Sequence, residues 1–201
     1  MLYLSGCVRP GLPIPVIVTP RMANVLPPSV TWAADSGCFA SPHEFDPLRY
    51  LGFLAKNQDA VDRCLFVTMP DVVADAAATL KRVQSWPIIL RGLGFKPALV
   101  AQDGLESLEV PWDDLDALFI GGTTTWKLSH HAHALVVEAN RRGKWTHMGR
   151  VNSLRRIRAA QLMGCRSVDG TFLLFGPDVN LPKMQRWLDE LDRQPVLFTA
   201  W

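Results

Sequence analysis

The sequence predicts an α/β protein folded as a compact, stripped-down (β/α)8 TIM-like barrel. Short apolar runs recur eight times along the 201 residues, and helical patterns fall between most of them. The chain length is close to the lower limit for this fold, so we expect some of the eight helices to be missing. An open, doubly wound sheet is the alternative architecture for the same alternation.

The eight predicted strands are short and apolar, as expected for parallel strands that are buried on both faces. They cover Leu2–Ser5, Val16–Thr19, Thr31–Ala34, Leu65–Thr68, Ala98–Ala101, Ala117–Ile120, Trp145–Met148 and Arg166–Val168. Because a parallel strand must be reached by a crossover, we expect all the carboxyl ends of these strands at one end of the barrel.

Helical periodicity is predicted at about 47–62, 74–85, 130–142, 153–163 and 182–192. Gly164 ends the fourth of these helices, and Pro182 suits the first turn of the last. The connections before residue 31 and around 104–116 are too short for a full helix. We therefore expect one barrel domain over residues 1–201.

The composition is that of a soluble globular protein, with 48% hydrophobic and 20% charged residues and a net charge of only +2. Any nucleic-acid surface must therefore be local. No apolar run is long enough for a bilayer, and the first residues lack the charged start of a signal peptide. The four cysteines are scattered singly, which favours a reducing cytoplasm and predicts no metal site. The lack of a long apolar run predicts no membrane partner.

Polar residues and glycines follow the same end of successive predicted strands. They are Asp35, Asp71, Gln102 with Asp103, Gly121 with Gly122, His147 to Gly149, and Asp169 with Gly170. A single aspartate after a strand is usually a turn residue. Several such positions in phase indicate a shared site at the carboxyl ends of the strands.

A basic cluster lies in one acid-free stretch and comprises Arg141, Arg142, Lys144, Arg150, Arg155, Arg156 and Arg158. Arg155 and Arg156 fall in the first turn of a predicted helix, where positive charge opposes the helix dipole. Free N–H groups beside arginines form a good anion site, although a solvated basic face is the plainer interpretation. The phosphate-binding candidates are Arg150, Asn152, Arg155, Arg156 and, beyond the glycine pair, Lys127.

Several segments resemble the motifs of the tRNA-guanine transglycosylases, and they occur in the same order along the chain. Asp35-Ser36-Gly37-Cys38-Phe39 is similar to their DSGGF motif, and the run through Gln102 to Gly104 to their VQGG segment. Phe119 to Thr123 is similar to their strand-end glycines, and Met148 to Asp169 resembles their MG…LL…GVDMFD region. The resemblance covers roughly residues 31–175.

The family's zinc site of three cysteines and a histidine has no counterpart here, because neither residue type follows Cys165. The reduced pattern resembles the zinc-less deazapurine-in-DNA transglycosylases of phages and bacteria, often called DpdA. That resemblance implies a TIM-like barrel without a zinc subdomain and without a cofactor. It also implies exchange of guanine in DNA for a 7-deazaguanine base such as preQ0, in the host cytoplasm if the enzyme is phage-encoded. Participation of a helper protein or a homodimer stays open.

Carried onto the matching positions, the resemblance implies that Asp169 is the nucleophile and Asp35 the general acid/base. Exchange with retention needs such a pair, because one carboxylate binds the sugar while the other moves protons. The candidates for binding the base are Ser36, Asp71, Gln102, Asp103, Gly121, Gly122 and Met148. Phe39 or Met148 would cover a purine face.

Other classes of protein would use the same residues differently. An N-glycoside hydrolase would release the base to water, and a tRNA-guanine transglycosylase would act on RNA. A metal enzyme would use Asp35, Asp71, Asp103 and Asp169 as ligands. A non-catalytic nucleic-acid-binding barrel would need only the arginines. The histidines at 130, 131 and 133 fit a capped helix start better than a metal site.

Overall fold

The computed structural model describes residues 1–7, 14–21, 26–39 and 45–193, which contain a closed barrel of eight parallel strands. Each strand pairs with the next in sequence, and the last pairs with the first. The strands are β1 (Leu2–Ser5), β2 (Val16–Val18), β3 (Trp32–Ala34), β4 (Cys64–Thr68), β5 (Pro97–Ala101), β6 (Ala117–Ile120), β7 (Trp145–Met148) and β8 (Ser167–Gly170). The (β/α)8 prediction is confirmed, and the open sheet is excluded.

The described residues include the helices α1 (Pro47–Lys56), α2 (Ala76–Val83), α3 (Trp86–Gly92), α4 (Thr124–Lys127), α5 (His130–Arg141), α6 (Leu154–Leu162) and α7 (Pro177–Arg193). As expected, two 3₁₀ turns, Leu105–Ser107 and Trp112–Asp114, replace a helix between β5 and β6. The described parts of the two connections before β3 contain no helix either. None of the helices in the described residues combines the length and the apolar character needed to cross a bilayer.

Two predicted helix boundaries are wrong, and one helix was not predicted. The first helix ends at Lys56, and a 3₁₀ segment, Gln58–Arg63, continues to β4. The second is followed by a separate helix, α3, because Pro87 is well placed near a helix start but not inside a helix. The last helix begins at Pro177, which takes the first-turn position predicted for Pro182, and Pro182 lies inside it.

The core has two layers because side chains alternate between the two faces of each strand. The layer inside the barrel comprises Leu4, Ile17, Ala33, Phe66, Ala98, Val100, Ala117 and Phe119, and the other buried apolar side chains pack between strands and helices. Asp35 lies two residues after the inward-facing Ala33, and Gln102 lies two residues after the inward-facing Val100. Both side chains therefore face the barrel axis as well. The alternation therefore directs polar side chains to the carboxyl end of the barrel axis.

Candidate active site

The carboxyl ends of the strands surround a pocket of about 190 Å³. Val100 and Phe119 contribute apolar surface from the barrel interior. Many of the predicted site residues line this pocket, namely Asp35, Asp71, Gln102, Gly121, Gly122, Arg150 and Asp169. The structure thus brings together the residues that were predicted from strand ends far apart in sequence.

Asp35 follows β3 and turns its carboxyl into the pocket. The backbone N–H of Gly37 donates to Asp35 Oδ1 at 2.7 Å, and a positive φ at Gly37 shapes this turn. Burial raises the pKa of Asp35 to about 7. The Gly37 hydrogen bond opposes the shift, while the negative charges of Asp71 and Asp169 reinforce it. A carboxyl with this pKa can both give and take a proton near neutral pH.

Asp71 and Gln102, which follow β4 and β5, form a buried pair in the lining of the pocket. Gln102 Nε2 donates to Asp71 Oδ2 at 2.6 Å, and burial raises the pKa of the Asp71 carboxyl. Gln102 Oε1 accepts from the backbone N–H groups of Ala74 and Gly122, at 2.9 and 3.0 Å. The amide of Gln102 therefore orients Asp71 and the glycine turn, and one Nε2 proton remains available for a ligand.

Asp169 lies within β8, and its carboxylate is held by a histidine that was predicted at a strand end but was given no catalytic or binding role. Its Oδ1 lies 2.9 Å from Nε2 of His147, whose Nδ1 lies 2.8 Å from Ser167 Oγ. His147 and Ser167 are fully buried inside the barrel. The alternation of side chains along a strand could have identified them, because residues two apart face the same side. His147 precedes Gly149 by two residues, and Ser167 precedes Asp169 by two.

Arg150 covers the pocket from the turn after β7. Its backbone has a φ of +61°, and its guanidinium donates to the carbonyl of Gly122 and stacks 4.3 Å from the centre of the Phe39 ring. Burial lowers the pKa of Arg150, and the charges of Asp169 and Asp71 oppose that shift. Arg150 and the half-exposed Phe39 thus form a cationic and aromatic rim over the two carboxylates.

Lys127 is buried beside the site and does not present its ammonium group to solvent. Its Nζ donates to the carbonyl of Gly149 at 2.7 Å. Burial lowers the pKa of Lys127 to about 8, with Arg150 acting in the same direction and Asp169 against it. The predicted phosphate contact therefore needs correction, because this lysine fixes the turn that carries Arg150.

Three predicted base-binding residues have other contacts. Both carboxylate oxygens of Asp103 bind Thr123, at 2.7 Å to its N–H and 2.6 Å to its hydroxyl, outside the pocket lining. Met148 points outward from the barrel and is buried against the helices, so it cannot cover a base. Ser36 is buried in the turn behind Asp35, where its N–H donates to Thr68 Oγ1 at 2.8 Å.

The predicted basic cluster is divided between the two ends of the barrel. Arg141 and Arg142 end α5, both bind Glu138, and Lys144 leads into the amino end of β7. Arg158 binds Glu190 on α7. The predicted phosphate-binding members stay at the pocket end. Arg150 lines the pocket, Arg155 and Arg156 lie in the first turn of α6, and Asn152 accepts the Thr171 N–H through its Oδ1 at 2.7 Å.

No group of three or more His, Cys, Asp or Glu side chains in the described residues is arranged to hold a metal ion. The rings of His130 and His131 stack 3.8 Å apart at the start of α5, where Ser129 caps the helix. The capped helix start expected for these histidines is confirmed.

The raised pKa of Asp35 has a consequence for stability that can be measured without any substrate. Below about pH 4 the carboxyl is protonated in both states, whereas between about 4 and 7 only the unfolded chain releases the proton. The folded state therefore loses stability as the pH rises through this window. We expect Asp35→Asn to raise the Tm by about 4 °C or more at pH 8 and to change it little at pH 4. Thermal unfolding at both pH values is the measurement, and a lower Tm at pH 8 would contradict it.

No protein-family model and no curated protein matches this sequence. Solved structures of similar shape include the following two. The Bacillus subtilis YkuI protein, which has an EAL domain and was solved with c-di-GMP and calcium, is 12% identical with a TM-score of 0.46, over 82% of this chain and 45% of that one. The 3-hexulose-6-phosphate synthase from Salmonella typhimurium is 16% identical with a TM-score of 0.47, over 81% and 75%. The chain thus spans less than half the length of the YkuI protein, and neither likeness bears on its chemistry.

Proposed function

We propose that this protein is a base-exchange transglycosylase that replaces guanine in DNA by a 7-deazaguanine such as preQ0. The observation that carries the proposal is the pairing of two carboxyl groups across one pocket. Asp35 retains a proton to about pH 7, while the Asp169 carboxylate lies 2.9 Å from His147 Nε2 and attracts Arg150 and Lys127. A carboxyl that keeps its proton near neutral pH suits the acid role, and a carboxylate beside cationic side chains suits the nucleophile role.

The proposed reaction uses each carboxyl group twice. Asp169 attacks C1′ of the nucleotide, the C1′–N9 bond breaks with its electron pair going to the base, and Asp35 gives the departing guanine a proton. The incoming deazaguanine then loses its N9 proton to Asp35. N9 attacks C1′, and the bond between C1′ and the Asp169 oxygen breaks, which regenerates the carboxylate.

Recognition of the base is assigned to Asp71 and to the backbone around Gly121 and Gly122. A guanine edge offers N–H donors to the Asp71 carboxylate and a carbonyl oxygen to the second Nε2 proton of Gln102. The N–H groups of Gly121 and Gly122 already donate to the Ala101 carbonyl and to Gln102 Oε1, so the two glycines contribute a flat backbone surface. Gly121 has no room for a side chain, since a Cβ there would lie 2.8 Å from Val100 Cγ1. The backbone can therefore approach a flat ligand closely.

The test is incorporation of labelled guanine or preQ0 into single-stranded DNA, duplex DNA and tRNA, side by side. We expect incorporation into DNA, with single strands preferred because the target base must leave its stack. Incorporation into tRNA alone would overturn the DNA assignment. Release of guanine without any incoming base would instead identify an N-glycoside hydrolase.

Arg155 and Arg156 provide a second test, because phosphate contacts make DNA binding depend on salt. Removing both arginines as Arg155→Ala/Arg156→Ala should weaken binding and reduce the slope of log K against log salt by up to roughly 1.4 on single strands. The matched control is Arg141→Ala/Arg142→Ala, which removes the same charge from α5, where both side chains bind Glu138. Equal losses in the two double variants would show that binding follows net charge and not this surface.

A further inference from the structure

A line of polar side chains descends from the pocket through the otherwise apolar interior of the barrel, along β7 and β8. We call this line, formed by Asp169, His147, Ser167 and Trp145, the polar column. Its three contacts are 2.9 Å from Asp169 Oδ1 to His147 Nε2, 2.8 Å from His147 Nδ1 to Ser167 Oγ, and 2.8 Å from Ser167 Oγ to Trp145 Nε1. The strand register places His147 directly opposite Ser167.

The hydrogen positions in the polar column follow from the one group in it that can only donate. The indole N–H of Trp145 has no acceptor capacity, so Ser167 Oγ accepts its proton. A hydroxyl oxygen can accept two hydrogen bonds, but within the described residues the buried Ser167 hydroxyl has only His147 Nδ1 to donate to. Satisfying this donor leaves Nδ1 unprotonated. The ring proton of a neutral His147 therefore lies on Nε2 and is donated to Asp169 Oδ1.

The imidazole ring of His147 is fixed in place by aromatic neighbours. Its centre lies 4.5 Å from that of Phe119 and 5.1 Å from that of Phe66. The space for Phe119 exists because residue 149 is glycine, where a Cβ would lie 2.6 Å from Phe119 Cε1 and 3.3 Å from Asp169 Oδ1. The ring thus has little freedom to tilt its Nε2–H away from the carboxylate.

Other charged and titratable groups face Asp169 from neighbouring elements. Arg150 and Lys127 attract its negative charge from the turn after β7 and from α4. Asp35 repels it from the turn after β3, and Tyr3 of β1 lies within range of its charge. Among these neighbours, His147 donates directly to a carboxylate oxygen from a fully buried position.

We propose that His147 is a positioning residue for Asp169, which it holds by Oδ1 so that Oδ2 is presented to the sugar carbon, with Ser167 and Trp145 fixing the required tautomer. The inference rests on the proposed function, because it assigns a role to the same nucleophile. Held in this way, Asp169 cannot rotate away from C1′.

Ser, His and Asp also form the triad of serine hydrolases, in which the serine hydroxyl is accessible to the substrate. Here the carboxylate is the accessible group. Ser167 is fully buried beneath His147, whereas the Asp169 carboxylate is 18% exposed at the pocket. No substrate can reach the hydroxyl, so the carboxylate and not the serine is the reactive end of the polar column.

Three variants at position 147 separate positioning from packing. Gln places an N–H donor near the position of Nε2, Asn places one near Nδ1 and cannot reach Asp169, and Leu has no donor. We expect His147→Leu and His147→Asn to lower kcat for base exchange by about 10–100-fold with little change in KM, and His147→Gln to recover most of the loss.

A packing role alone would lower the Tm in all three variants and leave kcat in His147→Gln as low as in His147→Asn, and that result would overturn the proposal. Ser167→Ala serves as a milder variant if substitutions at 147 unfold the barrel. Because it leaves Nδ1 without its donor, it should lower kcat severalfold and change the tautomer.

The tautomer itself is read by nitrogen NMR of the wild-type protein, which needs no substrate. We expect His147 to carry its proton on Nε2 and to leave Nδ1 unprotonated at neutral pH. A proton on Nδ1, alone or with one on Nε2, would overturn the proposal whatever the activity. The expected tautomer in a protein that exchanges no base would instead overturn the proposed function and leave the tautomer assignment intact.

Discussion

Asp169→Asn is expected to abolish base exchange, with a loss of about 10³-fold or more, while the barrel stays folded. An amide oxygen cannot form and release the bond to C1′, so the covalent intermediate is lost. The substitution keeps the volume of the side chain, and its Oδ1 can still accept the His147 Nε2–H. Arg150 and Lys127 lose an attracting charge, which affects their protonation but not the strand pairing.

The measurement is exchange of labelled guanine, with circular dichroism and Tm as checks of folding. Asp113→Asn is the matched control, because Asp113 is exposed on the 3₁₀ turn before β6, away from the pocket lining. Exchange at the wild-type rate by Asp169→Asn would show that the sugar binds elsewhere or that no covalent step occurs.

Asp35→Asn is expected to reduce exchange by 10²–10⁴-fold, the usual contribution of a positioned proton-transfer group. In the wild type the acid form is needed for guanine to depart, so this half-reaction should slow as the pH rises above about 7. The alkaline limb should be absent from the residual activity of Asp35→Asn. An unchanged limb in the variant would assign the proton transfer to another group.

The two effects expected for Asp35→Asn have opposite signs, more stability at pH 8 and less activity. Both arise from a carboxyl group that is buried near Asp71 and Asp169. A site that holds like charges together lowers the stability of the fold, and the same surroundings supply a carboxyl that can act as an acid near neutral pH. Finding both effects in one variant would be strong support for a catalytic role.

Much of the fold could be predicted because buried parallel strands are recognisable as short apolar runs. The predicted β5, β6 and β7 agree closely with the structure. β5 and β6 are apolar throughout, and β7 is apolar at its two ends. The helices were less predictable at their ends. The sequence offers two suitable prolines for the last helix, and only packing selects Pro177 over Pro182.

The carboxylates of the site were predictable because they extend inward-facing strand positions, as Asp35 extends Ala33. The polar column was not, because His147 was predicted only as a strand-end residue and Ser167 lies inside a run that looks like ordinary core. The basic cluster was misplaced for a geometric reason. Lys144 and Arg150 are close in sequence, but β7 runs between them and carries them to opposite ends of the barrel.

The polar column also bears on how the barrel is assembled. In β7 the inward His147 alternates with the outward Thr146, which bonds to Asn140 and to the Gly164 carbonyl near the helices. A slip of one residue would turn Thr146 and Met148 inward and bury the imidazole among helices without Ser167 or Asp169. Each buried polar group left unpaired in this way costs about 1–3 kcal/mol. The polar column therefore favours a single register between β7 and β8 as the barrel folds.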